Sequence, residues 1–208
     1  TTLFRSQNKY SVNSPIFMED VSKRLDLRAA SIRQGFKRLV DRGTLIRFTS
    51  GIYYFPQSSK IFKNIPLDME KVIVSKYINN NNNVIGYYSE LTLANIAGIT
   101  TQVAIEKCIV TNSEKSRGRI VIIKNRRIRL KAPRVIITEK NKNVLAVLDL
   151  VSDASKYSEY EPKATARILQ SYVKKLNISK SDVLACLPYY PSKTSKLLLE
   201  MGIYDVLT

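Results

Sequence analysis

Two stretches of helical periodicity, the second closed by a glycine and running straight into two β-rich segments, leave the first sixty residues few ways to fold. Ser14-Pro15 followed by Ile16, Phe17, Val21 and Leu25 reads as a capped helix entry ending near Asp26. After a short break, Arg28 to Asp41 repeats the helical spacing, with Ala29, Ile32, Phe36, Leu39 and Val40 on one face and Gly43 as the stop. Thr44 to Phe48, then Thr49-Ser50-Gly51, then Ile52 to Phe55 predict a β-hairpin. Two short helices joined by a tight turn, with a hairpin directly behind them, are the layout of a winged helix-turn-helix, expected over residues 1–60.

A chain of 208 residues is longer than that unit needs, so a second domain is expected over 61–208, after a linker at 57–65. Pro66 to Ile78 reads as a helix, the five asparagines from Asn79 to Asn83 as a polar loop, and Ser89 to Ala97 as a helix closed by Gly98. Strand-like runs at Cys108–Thr111, Arg119–Lys124, Ile128–Lys131 and Val135–Thr138 predict a small antiparallel sheet within about 101–140. From Asn143 to the end the apolar spacing turns helical, punctuated by Pro162, Pro188 and Pro191. The fold class expected is therefore α+β: an N-terminal winged helix-turn-helix, then a domain with a small antiparallel sheet and a helical C-terminal part.

Charge narrows the partner. There are 34 Lys and Arg against 17 Asp and Glu and no histidine, a formal net charge of +17, which points to a polyanion. The excess is concentrated: residues 1–60 hold 11 basic against 4 acidic side chains, and residues 101–140 hold 11 against 3. No apolar run approaches the roughly 20 residues that span a bilayer, and Thr1 to Tyr10 has no signal-peptide core. A cytoplasmic protein without membrane association is expected. Cys108 and Cys186 stand far apart, outside any paired motif, and read as ordinary core residues.

On the helix 28–41, the face opposite the apolar stripe carries Arg28, Ser31, Arg33, Gln34, Lys37 and Arg38. Arg and Gln can pair bidentately with guanine and adenine edges, while Lys and Ser contact phosphates, so this is the face of a double-stranded DNA reader. Ser31 and Gln34 are expected nearest the bases, and Arg47, Thr49 and Ser50 on the wing nearest the backbone. A second basic patch comprises Lys115, Arg117, Arg119, Lys124, Arg126, Arg127, Arg129, Lys131 and Arg134. Strand alternation puts Arg127 and Arg129 opposite Ile128 and Leu130, which predicts a cationic face and a second nucleic-acid or acidic-protein contact.

Catalytic signals are sparse. The lack of histidine removes the usual general base and the commonest metal ligand, and neither a phosphate-binding glycine loop nor a nucleophile elbow occurs. No catalytic residue, cofactor or metal is expected. The alternative is a nucleic-acid-processing or mobilisation protein with a metal-dependent C-terminal domain; it rests on Asp149 and Asp153, one helical turn apart, with Glu159 and Glu161 nearby and a Glu161-Pro162-Lys163 run of E-x-K spacing.

The order of parts, with Gly51-Ile52-Tyr53-Tyr54, then Gly86-Tyr87-Tyr88-Ser89, Leu91-Thr92-Leu93 and Ala97-Gly98-Ile99-Thr100-Thr101-Gln102 ahead of the basic strands, resembles the AbiEi-type antitoxins and transcriptional regulators of bacterial type IV toxin–antitoxin, or abortive-infection, systems. Ile99 stands where that family's G-L-T-x-Q-like turn has leucine. The resemblance implies a winged-helix repressor of its own operon that binds inverted repeats in the promoter and counteracts a nucleotidyltransferase-like toxin without a stable complex. It carries the DNA-contact role to Ser31, Arg33, Gln34, Lys37 and Arg38, makes the later basic strands a second contact, and assigns the antitoxin activity to residues 66–208 by position alone.

Overall fold

A computed structural model describes residues 10–25, 27–58, 64–81, 83–115 and 118–208. Arg117, Asp26 and positions 59–63 of the expected linker lie outside the described residues. The chain is a mixed α+β protein that divides into two compact units, Thr1–Lys76 and Tyr77–Thr208. Its described residues form eight α-helices and three small sheets.

In the first unit, Ile16–Phe17 form strand β1 rather than the opening of a helix. A β-branched and an aromatic residue favour the extended state, and they pair antiparallel with β3 (Ile52–Tyr54), Ile16 opposite Tyr53 and Phe17 opposite Ile52. The Met18 amide donates to Gly51 O at 2.9 Å, and helix α1 runs from there, Met18–Leu25, with Glu19 and Asp20 at its positive end and Lys23 and Arg24 at its negative end. Helix α2 is Ala29–Asp41. Ile32, Phe36 and Leu39, at helical spacing, are its buried stripe, whereas Ala29, expected on that stripe, is exposed in the first turn. Strand β2 (Ile46–Thr49) then pairs with β3, with a bulge between Arg47 and Thr49, giving the sheet order β1-β3-β2. Phe36 lies in a core of Ile16, Val21, Ile32, Leu39, Leu45 and Phe55, its ring centroid 4.6 Å from that of Tyr53. Gln57 and Ile65 form an isolated antiparallel bridge, and helix α3 is Met69–Tyr77, three residues later than Pro66. The Asp68 carboxylate, accepting from the Glu70 amide at 2.9 Å, forms the turn at its entry.

In the second unit the run Asn79 to Asn83, expected as a polar loop, contributes to two short strands instead. The asparagine run is a two-stranded hairpin, β4 (Asn79–Asn80) with β5 (Asn83–Val84), turned at Asn81, whose φ of 49° asparagine tolerates better than most side chains. Strand β6 (Gly86–Ser89) leads into helix α4 (Glu90–Ala97), and β7 (Lys107–Thr111), β8 (Arg119–Ile123) and β9 (Arg126–Lys131) complete a sheet of order β6-β7-β9-β8. This sheet is mixed, not antiparallel, because β7 and β9 run parallel. Val135–Thr138 is not one of its strands: after Pro133, the Asn112 side chain takes the strand's place, donating to Ile137 O at 2.8 Å and accepting from the Ile137 amide at 2.9 Å. Helices α5 (Lys142–Tyr157), α6 (Pro162–Leu176), α7 (Lys180–Cys186) and α8 (Ser192–Glu200) follow. They pack with α4, Tyr87 and Val110 into one core in which Leu148, Leu169, Leu198 and Ile203 are fully enclosed. No helix among the described residues is long and apolar enough to cross a membrane.

Candidate nucleic-acid interface

Helix α2 fixes the first basic cluster. Because its buried stripe faces the core, Arg28, Ser31, Arg33, Gln34, Lys37 and Arg38 all stand on the exposed side. On the β2–β3 hairpin, Arg47 and Ser50 are exposed and Thr49 is half-buried. Arg42, which the sequence reading passed over, belongs to the same surface: it caps α2 one turn beyond Arg38 and is exposed. The signal for it was the i, i+4 spacing itself.

None of Arg28, Arg33, Lys37, Arg38, Arg42 or Arg47 has an ion-pair partner among the described residues. Arg33 and Lys37, four apart in the middle of α2, are a like-charged pair of the kind that costs a helix about 0.2–0.5 kcal/mol. Arg38 and Arg42 repeat the spacing nearer the C-terminus, where the helix dipole offsets part of the repulsion. A cationic surface left unanswered in this way gains no ion-pair stabilisation from the described part of the protein and is open to an external anion.

The second basic patch is different. Arg127 Nε lies 3.1 Å and Arg129 Nε 2.8 Å from the two oxygens of Glu106, which holds the Glu106 carboxyl below its ordinary range. Arg129 and Lys131 also reach Glu90 at 3.4 and 3.3 Å, and Arg119 reaches Glu114 at 3.0 Å. Arg134 lies 4.9 Å over the Tyr190 ring. Ile128 and Leu130 are fully buried while Arg127 and Arg129 are exposed, so the alternation is as expected, but the cationic face it predicts is largely neutralised by carboxylates from distant parts of the sequence. Lys115 and Arg126 remain exposed. Lys124, at a φ of 52°, forms the β8–β9 turn with Asn125.

Of the acids behind the catalytic alternative, Asp149 and Asp153 lie one turn apart on α5, and Glu159 and Glu161 lie between α5 and α6. Asp149 accepts a hydrogen bond from the Tyr87 hydroxyl at 2.9 Å. Burial pushes its carboxyl above the ordinary range, against the downward pull of that hydrogen bond and of Lys131 and Arg134. Glu159 accepts from the Thr101 amide and hydroxyl at 2.8 and 3.0 Å, tying down the Gly98–Gln102 turn, and the Thr101 amide is the main reason its carboxyl titrates low. Pro162 occupies the first turn of α6, so Glu161-Pro162-Lys163 is a helix start and not a strand. Among the described residues no three His, Cys, Asp or Glu side chains gather where they could hold a metal. The Cys108 thiol is buried and pushed up to about 12, which leaves it protonated and inert at neutral pH.

A family model described as a family of unknown function, DUF6088, matches residues 5–177. The chain belongs to the DUF6088 family. That match takes in nearly all of the first unit and the second as far as the end of α6, with both basic clusters and the β6–α4 segment with its Gly98 turn. Among curated proteins none matches the chain.

Proposed function

We propose that this DUF6088 protein is a sequence-specific double-stranded DNA-binding regulator whose first unit is a winged helix-turn-helix, with α2 as the recognition helix and the β2–β3 hairpin as the wing. The observation that carries the reading is the cationic face of α2, exposed and unanswered by carboxylates among the described residues. The β1-β3-β2 sheet directly behind α2 supports it, since it holds Arg47 and Ser50 on a hairpin a few residues beyond the helix end. Arg28, Arg33, Lys37, Arg38 and Arg42 supply phosphate and guanine contacts, and Gln34 reads adenine. The paired arginines of β9 play a lesser part. The protein acts as an autorepressor and not as an enzyme.

The AbiEi resemblance of the Gly86–Gln102 segment extends the proposal to a cytoplasmic antitoxin that opposes a nucleotidyltransferase-like toxin without a lasting complex. Co-expression with a nucleotidyltransferase encoded beside it tests that part: growth arrest that this protein relieves supports it, and unrelieved arrest removes it while leaving DNA binding untouched.

The DNA-binding part is tested by gel-shift titration on the protein's own upstream promoter and on random duplex, at two salt concentrations. A preference for the promoter of roughly a thousandfold is expected of a specific regulator. Equal, steeply salt-dependent affinity for both would reduce the basic face to generic phosphate attraction and refute the regulator.

A further inference from the structure

The two edges of the four-stranded sheet are treated differently. At the start of β6 the Ile85 and Gly86 amides donate to Ile78 O, so the first residue of that edge is covered by the chain leading into it. Strand β8, at the other edge, is paired among the described residues with β9 alone. Its sequence, Arg-Ile-Val-Ile-Ile, has β-branched residues at four of five positions and none of the lysines or prolines that usually blunt an edge. Alternation places Ile120 and Ile122 on the face shared with Arg129 and Arg127, and they stand 47% and 64% exposed.

We infer that β8 pairs antiparallel with β8 of a second copy of this chain, joining two four-stranded sheets into one of eight strands. Centred on Val121, the middle of the strand, the pairing sets Ile120 of each copy opposite Ile122 of the other, so four exposed isoleucines close into one aliphatic cluster of cross-strand β-branched pairs. Charge selects this occupant. Residues 120–123 carry no charge, and the cations that share the face of Ile120 and Ile122, Arg127 and Arg129, are already answered by Glu106, while Arg126 lies on the opposite face beside Ile123. A second strongly basic copy is therefore not repelled at the edge, and an acidic strand from another protein would find few free cations to reward it. The interface is at the small end of specific contacts, so the dimer is a weak one in free solution. The inference does not depend on DNA binding, and its test contains no DNA.

Sedimentation equilibrium across the micromolar range measures it on the full chain. A reversible dimer is expected, reverting to monomer in Ile120→Lys/Ile122→Lys, whose exposed positions leave the folded far-UV spectrum and melting temperature in place. A second readout fixes the register. Ile120→Cys and Ile122→Cys proteins mixed in equal amounts form a disulfide-linked dimer, whereas each alone forms little, since the native Cys108 and Cys186 are buried. A wild-type chain that stays monomeric at every concentration, a dimer unaffected by the two lysines, or equal cross-linking in the mixed and single-variant samples would overturn the inference.

Discussion

At the scale of single residues, the proposed function gives different tasks to side chains about one helical turn apart on one face. Gln34 and Lys37 are both exposed on α2, yet an amide discriminates bases and an ammonium is a point charge for phosphate. Gln34→Ala is expected to cost about 1–3 kcal/mol on the preferred duplex and little on random DNA. Lys37→Ala should weaken both alike and lower the salt slope by about 1. Binding curves on the two duplexes separate these outcomes, and equal losses for Gln34→Ala would remove it from base reading. Asp149 offers a prediction about stability. Burial raises its folded pKa above the unfolded value, so between those two values the folded state holds the extra proton and stability falls as pH rises. Above that window the ionised carboxylate is a standing cost, offset in part by the Tyr87 hydroxyl. Asp149→Asn retains an acceptor for Tyr87 and removes the charge. Chemical denaturation from pH 4 to 8 should show the variant at least as stable as the parent at neutral pH, with the downward slope gone; a retained slope would place its origin elsewhere.

At the scale of elements, the β6–α4 segment shows how a short run is held from both ends. Gly98 closes α4 at a φ of 81°, its amide donating to Asn95 O, and Glu159 then grips the following turn through Thr101. Gly98→Ala is expected to cost about 1 kcal/mol for the left-handed conformation alone. Gly86→Ala should cost more, about 2 kcal/mol, because a Cβ there meets the Tyr77 and Val110 carbonyl oxygens, which belong to backbone and cannot swing aside. Thermal melts of the two variants rank them, and Gly98→Ala as the worse would contradict the packing at Gly86. These elements were legible in the sequence to different degrees. Helix α2, its glycine stop and the hairpin behind it have strong local signals, and Gly98 marked the end of α4. The opening of α1 was not legible, because Ile16 and Phe17 suit a helical stripe as well as a strand and only pairing with β3 decides between them. The parallel β7–β9 contact was hidden for the same reason: strand direction depends on what lies between, not on the strand. The Asn112 bridge to Ile137 spans 25 positions and leaves no periodic trace.

Across the whole molecule, a net charge of +17 says less about where a polyanion could bind than the placement of seventeen carboxylates does. Residues 1–60 and 101–140 hold equal numbers of basic side chains, and the sequence presents them as equivalent. Folding separates them: Glu90, Glu106 and Glu114 converge on the β8–β9 cations, while the α2 face has no carboxylate partner among the described residues. An arginine held against a carboxylate has to give up that pair before it can release a counterion from DNA, so its net gain on binding is small. The double variants Arg33→Ala/Arg38→Ala and Arg127→Ala/Arg129→Ala remove the same formal charge, one pair from each cluster. On random duplex the first should lower the slope of log affinity against log salt by about 1.8, as expected for two lost phosphate contacts at about 0.9 each. The second should change it by well under half of that. Glu106→Gln supplies the complementary arm: by releasing Arg127 and Arg129 without deleting either, it is expected to raise affinity at low salt and steepen the slope. If both double variants lowered the slope equally, the carboxylates would not be screening the second patch, and β9 would share the DNA with α2 on equal terms.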